Sequence, residues 1–162
     1  FRGILYAGLM IEEGAPRLVE FNVRFGDPEA QVVLPRLEGD LLALLLAAAE
    51  GRLAGTVLDW TPEVALTVVL AAKGYPGAYA KGEAIGGLEA AAAMPGIRLF
   101  HAGTAAGPDG PVSAGGRVLA VTALGTDLAE ARARAYAAVD TIDWPGSFHR
   151  RDIAWRALGD AG

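Results

Sequence analysis

The chain contains no cysteine, which excludes disulfides, thiolate metal ligands and cysteine nucleophiles together and fits a reducing compartment. Positive charge is in deficit: 14 Lys and Arg against 19 Asp and Glu leave a net charge of -5. That balance argues against a broad nucleic-acid footprint while leaving room for a local basic pocket that holds phosphate. No apolar run reaches the roughly 18 residues a membrane span needs; the longest near a predicted helix is Leu41 to Ala49. A signal-peptide pattern is missing, and so is an initiator Met. Phe1 leads almost directly into Gly3-Ile-Leu-Tyr-Ala-Gly-Leu-Met-Ile11. An opening without a polar lead-in suggests a piece of a longer protein, with a trimmed complete domain as the alternative.

What is present suits a folded core. The 162 residues are 52% hydrophobic and 20% charged, enough for one compact domain or two small ones and too apolar for general disorder. Ile4 to Ile11 reads as a buried strand, Glu12 to Pro16 as a turn, and Arg17 to Asn22 as the returning strand of a hairpin. Alternation puts Leu18, Glu20 and Asn22 on one face and Val19 and Phe21 on the other. Pro28 fits a first helical turn with Asp27 as its N-cap, in a short helix that Pro35 disturbs. Gly39-Asp40 caps a second helix over Leu41 to Glu50, stopped by Gly51, and so apolar all round that burial is expected.

A segment rich in Gly, Thr, Asp and Pro follows, and the division between two structural units is placed there, 1–55 and 56–162. Val64 to Ala72 has the branched residues and length of a central strand. Gly86 to Ala93 is a candidate short helix and Ile97 to Thr104 a strand. Asp109-Gly110 signals a hairpin, and Arg117 to Leu124 is a further buried strand. Asp127 and Glu130 stand in capping-box spacing ahead of a helix whose buried face is Leu128, Ala131, Ala135, Val139 and Ile142. A last short helix is expected near Ile153 to Leu158. Trp60, Trp144 and Trp155 are assigned to core edges or to the seam between the units, and His149, in a basic tail with Arg150 and Arg151, to solvent.

The chemistry concentrates between Glu20 and Glu29. Glu20-x-Asn22 gives two hard oxygen donors on one strand face, roughly 7 Å apart along the strand. Such a pair suits Mg²⁺, which takes one or two protein oxygens and completes its octahedron with phosphate and water. Arg24 continues the face and could meet a phosphate or carboxylate. The residues alone equally describe a solvated polar strand face. Arg24, Asp27 and Glu29 surround Gly26 and Pro28 in a tight loop, where they fit either an amine and metal-nucleotide site or a capping and salt-bridge cluster. Lys73 and Arg117, each beside glycines at a strand end, are candidates for phosphate contact or for loop charges in water. His101, a lone histidine, is read as a hydrogen-bonded structural residue.

The stretch Leu18-Val-Glu-Phe-Asn-Val-Arg-Phe-Gly-Asp-Pro-Glu-Ala-Gln31 resembles the signature of the phosphoribosylamine–glycine ligase family. Tyr6-Ala-Gly-Leu-Met10, Lys73-Gly-Tyr-Pro76, Phe100-His-Ala-Gly-Thr104, Gly115-Gly-Arg-Val-Leu119 and Ala135-Tyr136 resemble further family segments in order and spacing. The resemblance implies an α+β fold: the C-terminal portion of an ATP-grasp domain over 1–55, then a small mixed α/β C-terminal domain over 56–162. It implies an ATP-dependent ligase of purine biosynthesis that joins glycine to phosphoribosylamine, cytoplasmic, with no nucleic-acid or membrane partner. Glu20 and Asn22 would be ligands of Mg²⁺ or Mn²⁺ bridging ATP phosphates. Charge, not the resemblance, then suggests Arg24 as a phosphate or intermediate stabiliser and Asp27 and Glu29 as catalytic-site residues positioning the amine substrates, with Lys73 and Arg117 as the candidates for the ATP phosphates. Nothing in the chain reads as the Gly-rich phosphate flap or adenine lobe, so these 162 residues alone are expected to bind Mg²⁺-ATP weakly and to have no turnover. The alternatives are another ATP-grasp ligase or carboxylase, since Glu-x-Asn-x-Arg is shared more widely, and a non-catalytic module of the same fold.

Overall fold

The structure is a computed structural model and describes residues 1–159. The chain divides into two compact units, residues 1–61 and residues 62–162. Each mixes helix and strand, as expected.

The first unit opens with an antiparallel hairpin, β1 (Tyr6–Glu12) and β2 (Ala15–Asn22), turning at Glu13 and Gly14. The hairpin is not regular. Leu9 pairs with Leu18, but the next pair is Gly8 with Glu20, so Val19 is the extra residue of a β-bulge. Cross-strand partners share a face. The bulge therefore moves Leu18 to the side opposite Glu20 and Asn22, where alternation alone had placed it beside them. Neither face is buried: Met10 and Ile11 are 61% and 59% exposed, against the expectation of a buried strand. A two-stranded ribbon has no second layer within its own unit to lie against.

After the hairpin, residues 27–29 form a turn, and α1 runs only over Ala30–Val33 before a 3₁₀ turn at Leu34–Arg36. The expected helix start at Pro28 is thus two residues early, and Glu29, not Asp27, is the N-cap. The residue before a proline is pushed away from helical geometry, and Pro35 tightens the other end. β3 (Leu37–Glu38) pairs with β4 (Asp59–Trp60) around α2 (Leu41–Glu50). Here local signals hold: Asp40 accepts from the Ala43 amide, and Gly51 closes the helix with φ of 72°. The expected burial does not hold, since only Ala48 is buried on α2 while Leu42 is 75% exposed. Leu41, Leu44 and Leu45 instead line an open apolar cleft of about 340 Å³ with Leu34, Leu58 and Trp60.

The second unit is built on a four-stranded antiparallel sheet, ordered β10-β5-β9-β6. Its strands are β5 (Val64–Ala72), β6 (Ile97–His101), β9 (Arg117–Gly125) and β10 (Ser147–Phe148); β7 (Thr104–Gly107) and β8 (Gly110–Ser113) form a separate hairpin. Leu66, Val68 and Leu70 of β5 pair with Ala123, Val121 and Leu119 of β9, and Ile97 and Leu99 of β6 extend that apolar face. Helix α4 (Leu128–Thr141) covers it with Ala131, Ala135, Ala138 and Val139, joined by α3 (Leu88–Ala92). Small alanines let a helix approach a branched strand surface closely. On the other face Thr122 donates to Thr67 at 2.9 Å, which keeps a buried hydroxyl satisfied. Asp127 caps α4 by accepting from the Glu130 amide, while the Glu130 carboxylate accepts from both the amide and hydroxyl of Thr126.

The tail returns over α4 and ends in α5 (Trp155–Leu158). Trp144 is buried and donates to Glu83 at 2.8 Å, whereas Trp60 is 43% exposed. His149 is not in solvent as expected. Both ring nitrogens are closed off without a hydrogen-bond partner, and the ring centroid lies 6.2 Å from that of Tyr136. The Tyr136 hydroxyl anchors the same segment, donating to the Arg150 carbonyl and accepting from the Ile153 amide.

Candidate active site

Hairpin register assembles the polar face of the first unit. Tyr6 pairs with Asn22 and Gly8 with Glu20, so the four positions form one block. Gly8 leaves room there: a Cβ at that position would lie 3.1 Å from Cγ of Glu20. Asn22 Nδ2 donates to Glu20 Oε1 at 3.0 Å, so carboxylate and amide do face each other across one strand residue.

The loop after β2 folds back onto this block. Gly26 is buried, and a Cβ there would run into Oε2 of Glu29. The Glu29 side chain therefore curls over bare backbone, and the Tyr6 hydroxyl donates to its Oε1 at 3.3 Å. Tyr6 feels both acids: the Glu29 charge, partial burial, the hydrogen bond and the more distant Glu20 charge all raise its pKa above the usual phenol value. The hydroxyl thus stays protonated as a donor. Tyr6 was quoted in the sequence only as part of a strand; its place in the cluster depends on the bulge at Val19.

The remaining candidates lie nearby in sequence but are held differently. The Arg24 guanidinium donates to the Phe25 carbonyl at 3.0 Å, on an exposed side chain. Asp27 accepts from Gln31 Nε2 at 3.0 Å, fastening the loop to α1. Because α1 has only 4 residues, it offers no helix N-terminal anion site.

Lys73 and Arg117 belong to the second unit. The sheet is antiparallel, so β5 ends where β9 begins, and both residues stand at that end together with His101 at the end of β6. The Lys73 ammonium donates to the Pro145 carbonyl at 2.6 Å. The Tyr75 ring lies against Gly116, where any Cβ would collide with it. His101 Nδ1 is 3.0 Å from the Thr104 hydroxyl, a structural partnership as read from sequence. An open cleft of about 890 Å³ runs beside β6, lined by Leu88, Arg98, His101 and Asp109 among others; Lys73 and Arg117 are not part of its wall.

Among the described residues no group of three or more His, Asp or Glu side chains could hold a metal ion. The donor chemistry of Glu20 and Asn22 fits a cation that arrives with phosphate oxygens and needs only one or two protein ligands. The amide of Asn22 can offer its oxygen in place of its NH₂ on a half-turn.

Two family models match the chain. "Phosphoribosylglycinamide synthetase, C domain" matches residues 65–156, and "Phosphoribosylglycinamide synthetase, ATP-grasp (A) domain" matches residues 1–30. The chain is 59% identical over 162 residues to the chloroplastic phosphoribosylamine–glycine ligase of Arabidopsis thaliana, a match covering 98% of this chain and 30% of that protein. It is 57% identical over 158 residues to the phosphoribosylamine–glycine ligase of Mesorhizobium japonicum, covering 98% and 37%. A crystal structure of phosphoribosylamine–glycine ligase from Thermotoga maritima matches with a TM-score of 0.72 and 36% identity, over 91% of this chain and 36% of that one. The chain thus spans about a third of the length of these relatives.

Proposed function

The chain belongs to the phosphoribosylglycinamide synthetase family, and on that premise we propose that it contributes the metal-binding face of an ATP-dependent ligase joining glycine to 5-phosphoribosylamine. The products would be glycinamide ribonucleotide, ADP and phosphate. ATP phosphorylates the glycine carboxylate to a glycyl phosphate; the phosphoribosylamine amine then attacks that carbonyl and expels phosphate. The observation that carries the reading is the hydrogen-bonded Glu20–Asn22 pair on a strand face, where Tyr6, the cross-strand partner of Asn22, also reaches Glu29.

Each side chain then has a role that its chemistry supports. Glu20 and Asn22 would hold Mg²⁺ or Mn²⁺ through oxygen. When bound, the cation neutralises charge on the phosphoryl group being transferred. The rigid hairpin backbone supplies preorganisation, since positioning and electrostatics do most of the work in phosphoryl transfer. Arg24, exposed and long, would swing from the Phe25 carbonyl to an anionic oxygen of the acyl phosphate. Asp27 and Glu29 would orient the amine substrates. Lys73 retains ammonium protons beyond the one given to Pro145 and, with Arg117, would meet phosphate. We place this work in the cytoplasm as the family resemblance implies, with the chloroplast of the Arabidopsis relative as the alternative that fractionation distinguishes.

Glycine-dependent release of ADP tests the reaction class. A full-length ligase carrying these residues should release ADP only when glycine and phosphoribosylamine are both supplied, with glycinamide ribonucleotide appearing in equal amount. ADP release driven by bicarbonate and not by glycine would assign the chain to a carboxylating enzyme instead.

A further inference from the structure

We propose that Tyr6 is a positioning residue for this site, holding the Glu29 carboxylate beside the strand face of Glu20 and Asn22 through its hydroxyl. The inference rests on the proposed metal-nucleotide role of that face and adds a residue to which no part has been given.

Several independent features place the phenol there. Tyr6 is the cross-strand partner of Asn22, and it shares its face with Gly8 and Glu20. Its hydroxyl lies 3.3 Å from Glu29 Oε1. Missing side chains at Gly8 and Gly26 make room for the two carboxylates: the Glu20 stem lies over Gly8, and the Glu29 carboxylate over Gly26. Two like charges on one face repel in the absence of a cation. A neutral donor can fix one carboxylate without adding charge that competes with the metal. A lysine at position 6 would neutralise the site it serves, and a phenylalanine would leave Glu29 without its partner.

Loss of the hydroxyl alone should therefore release Glu29 while leaving the aromatic packing intact. The test is a double-mutant cycle in a full-length ligase carrying these residues, with Tyr6→Phe, Glu29→Gln and the pair. The readings are kcat, the half-saturating Mg²⁺ concentration at fixed ATP, the glycine KM and the thermal midpoint. Tyr6→Phe should raise the Mg²⁺ or glycine constant about tenfold, the scale of one lost hydrogen bond to a charged group. The midpoint should stay unchanged and kcat should move far less. In the Glu29→Gln background the same change should add less than about twofold, because the partner is already altered.

Tyr6 and Glu29 effects that multiply overturn the inference, as does a Tyr6→Phe variant that lowers only the thermal midpoint. Glu20→Ala, measured in parallel, keeps the two ideas apart. If it abolishes the Mg²⁺ response while Tyr6 and Glu29 effects multiply, the metal role stands and the positioning role falls. If it leaves the Mg²⁺ response intact while Tyr6 and Glu29 stay coupled, the pairing is supported and the metal role falls.

Discussion

Tyr6 stands directly across the first hairpin from Asn22, a pairing that exists only because Val19 is squeezed out as a bulge between Leu18 and Glu20. A regular hairpin through the Glu13-Gly14 turn would set Tyr6 against Phe21, Glu20 against Ala7 and Asn22 against Leu5. With the bulge, phenol, carboxylate and amide share one surface, and Glu29 from the following loop meets the phenol.

Gly26 should be the position least tolerant of a single methyl at this site. Its φ is not in the left-handed region, so alanine is acceptable to the backbone, but the new Cβ meets the Glu29 carboxylate. That carboxylate is the far end of a flexible chain and will swing away. Gly26→Ala should reproduce the altered Mg²⁺ or glycine constant of Tyr6→Phe while moving the thermal midpoint by no more than about 2 °C, a surface-scale change of within ~0.5 kcal/mol. Steady-state kinetics beside a melting curve checks both halves.

Burial separates two leucines of equal size. Leu119 is 1% exposed between β5 and α4, whereas Leu42 on α2 is 75% exposed. Leu119→Ala should cost about 2–5 kcal/mol in urea unfolding, and Leu42→Ala about 0.5 kcal/mol or less. Exposed Leu42 and Leu46 also form apolar surface, so Leu42→Gln with Leu46→Gln should lower the binding of a hydrophobic dye by this chain.

His149 predicts a pH dependence with a defined sign. Burial, then the Arg151 charge, lowers its pKa below 6.5, with only Asp140 opposing. Arg151 of its own segment and Asp140 of α4 are the charged groups that act on it, and the Tyr136 ring lies beside it. Between the lowered folded value and 6.5, the unfolded chain binds more protons than the native one, so stability falls as pH falls through that window. Asp140 and Asp152, whose pKa values are lowered by hydrogen bonds from Arg151 and Arg150, lose their contributions only at lower pH, in the carboxylate range. His149→Phe should remove the first loss and keep the second in melting curves taken from pH 7.5 to 3.5.

The Asp127 cap makes a smaller claim. Its side chain accepts from the Glu130 amide at 2.8 Å at the start of the longest helix. Asp127→Ala should cost about 1 kcal/mol, read from denaturant midpoints with an unchanged slope.

Much of this fold was legible where the signal is local. Asp40 and Gly51 mark the ends of α2, Val64 to Ala72 is β5 to the residue, and the buried face of α4 follows from its 3,4 spacing. The parts that were misread depend on partners that a sequence does not name. Hydropathy said that β1 and α2 should be covered, but their own unit supplies no second layer. Alternation said that Leu18 flanks Glu20, but a bulge leaves no mark in a run of ordinary strand residues. His149, beside two arginines, looked like a solvated tail residue until the chain reversal laid it on Tyr136. At the candidate site, Glu20 and Asn22 could be named from spacing and resemblance, whereas Tyr6 needed the three-dimensional register.

The central claim is that Glu20 and Asn22 bring a divalent cation to ATP, and a Mg²⁺ titration of turnover tests it most directly. In a full-length ligase carrying these residues, Glu20→Ala and Asn22→Ala should each raise the half-saturating Mg²⁺ concentration and cut kcat by about 100-fold or more, the scale of removing a preorganised transition-state contact. Unchanged Mg²⁺ dependence with unchanged turnover in both variants would contradict the account.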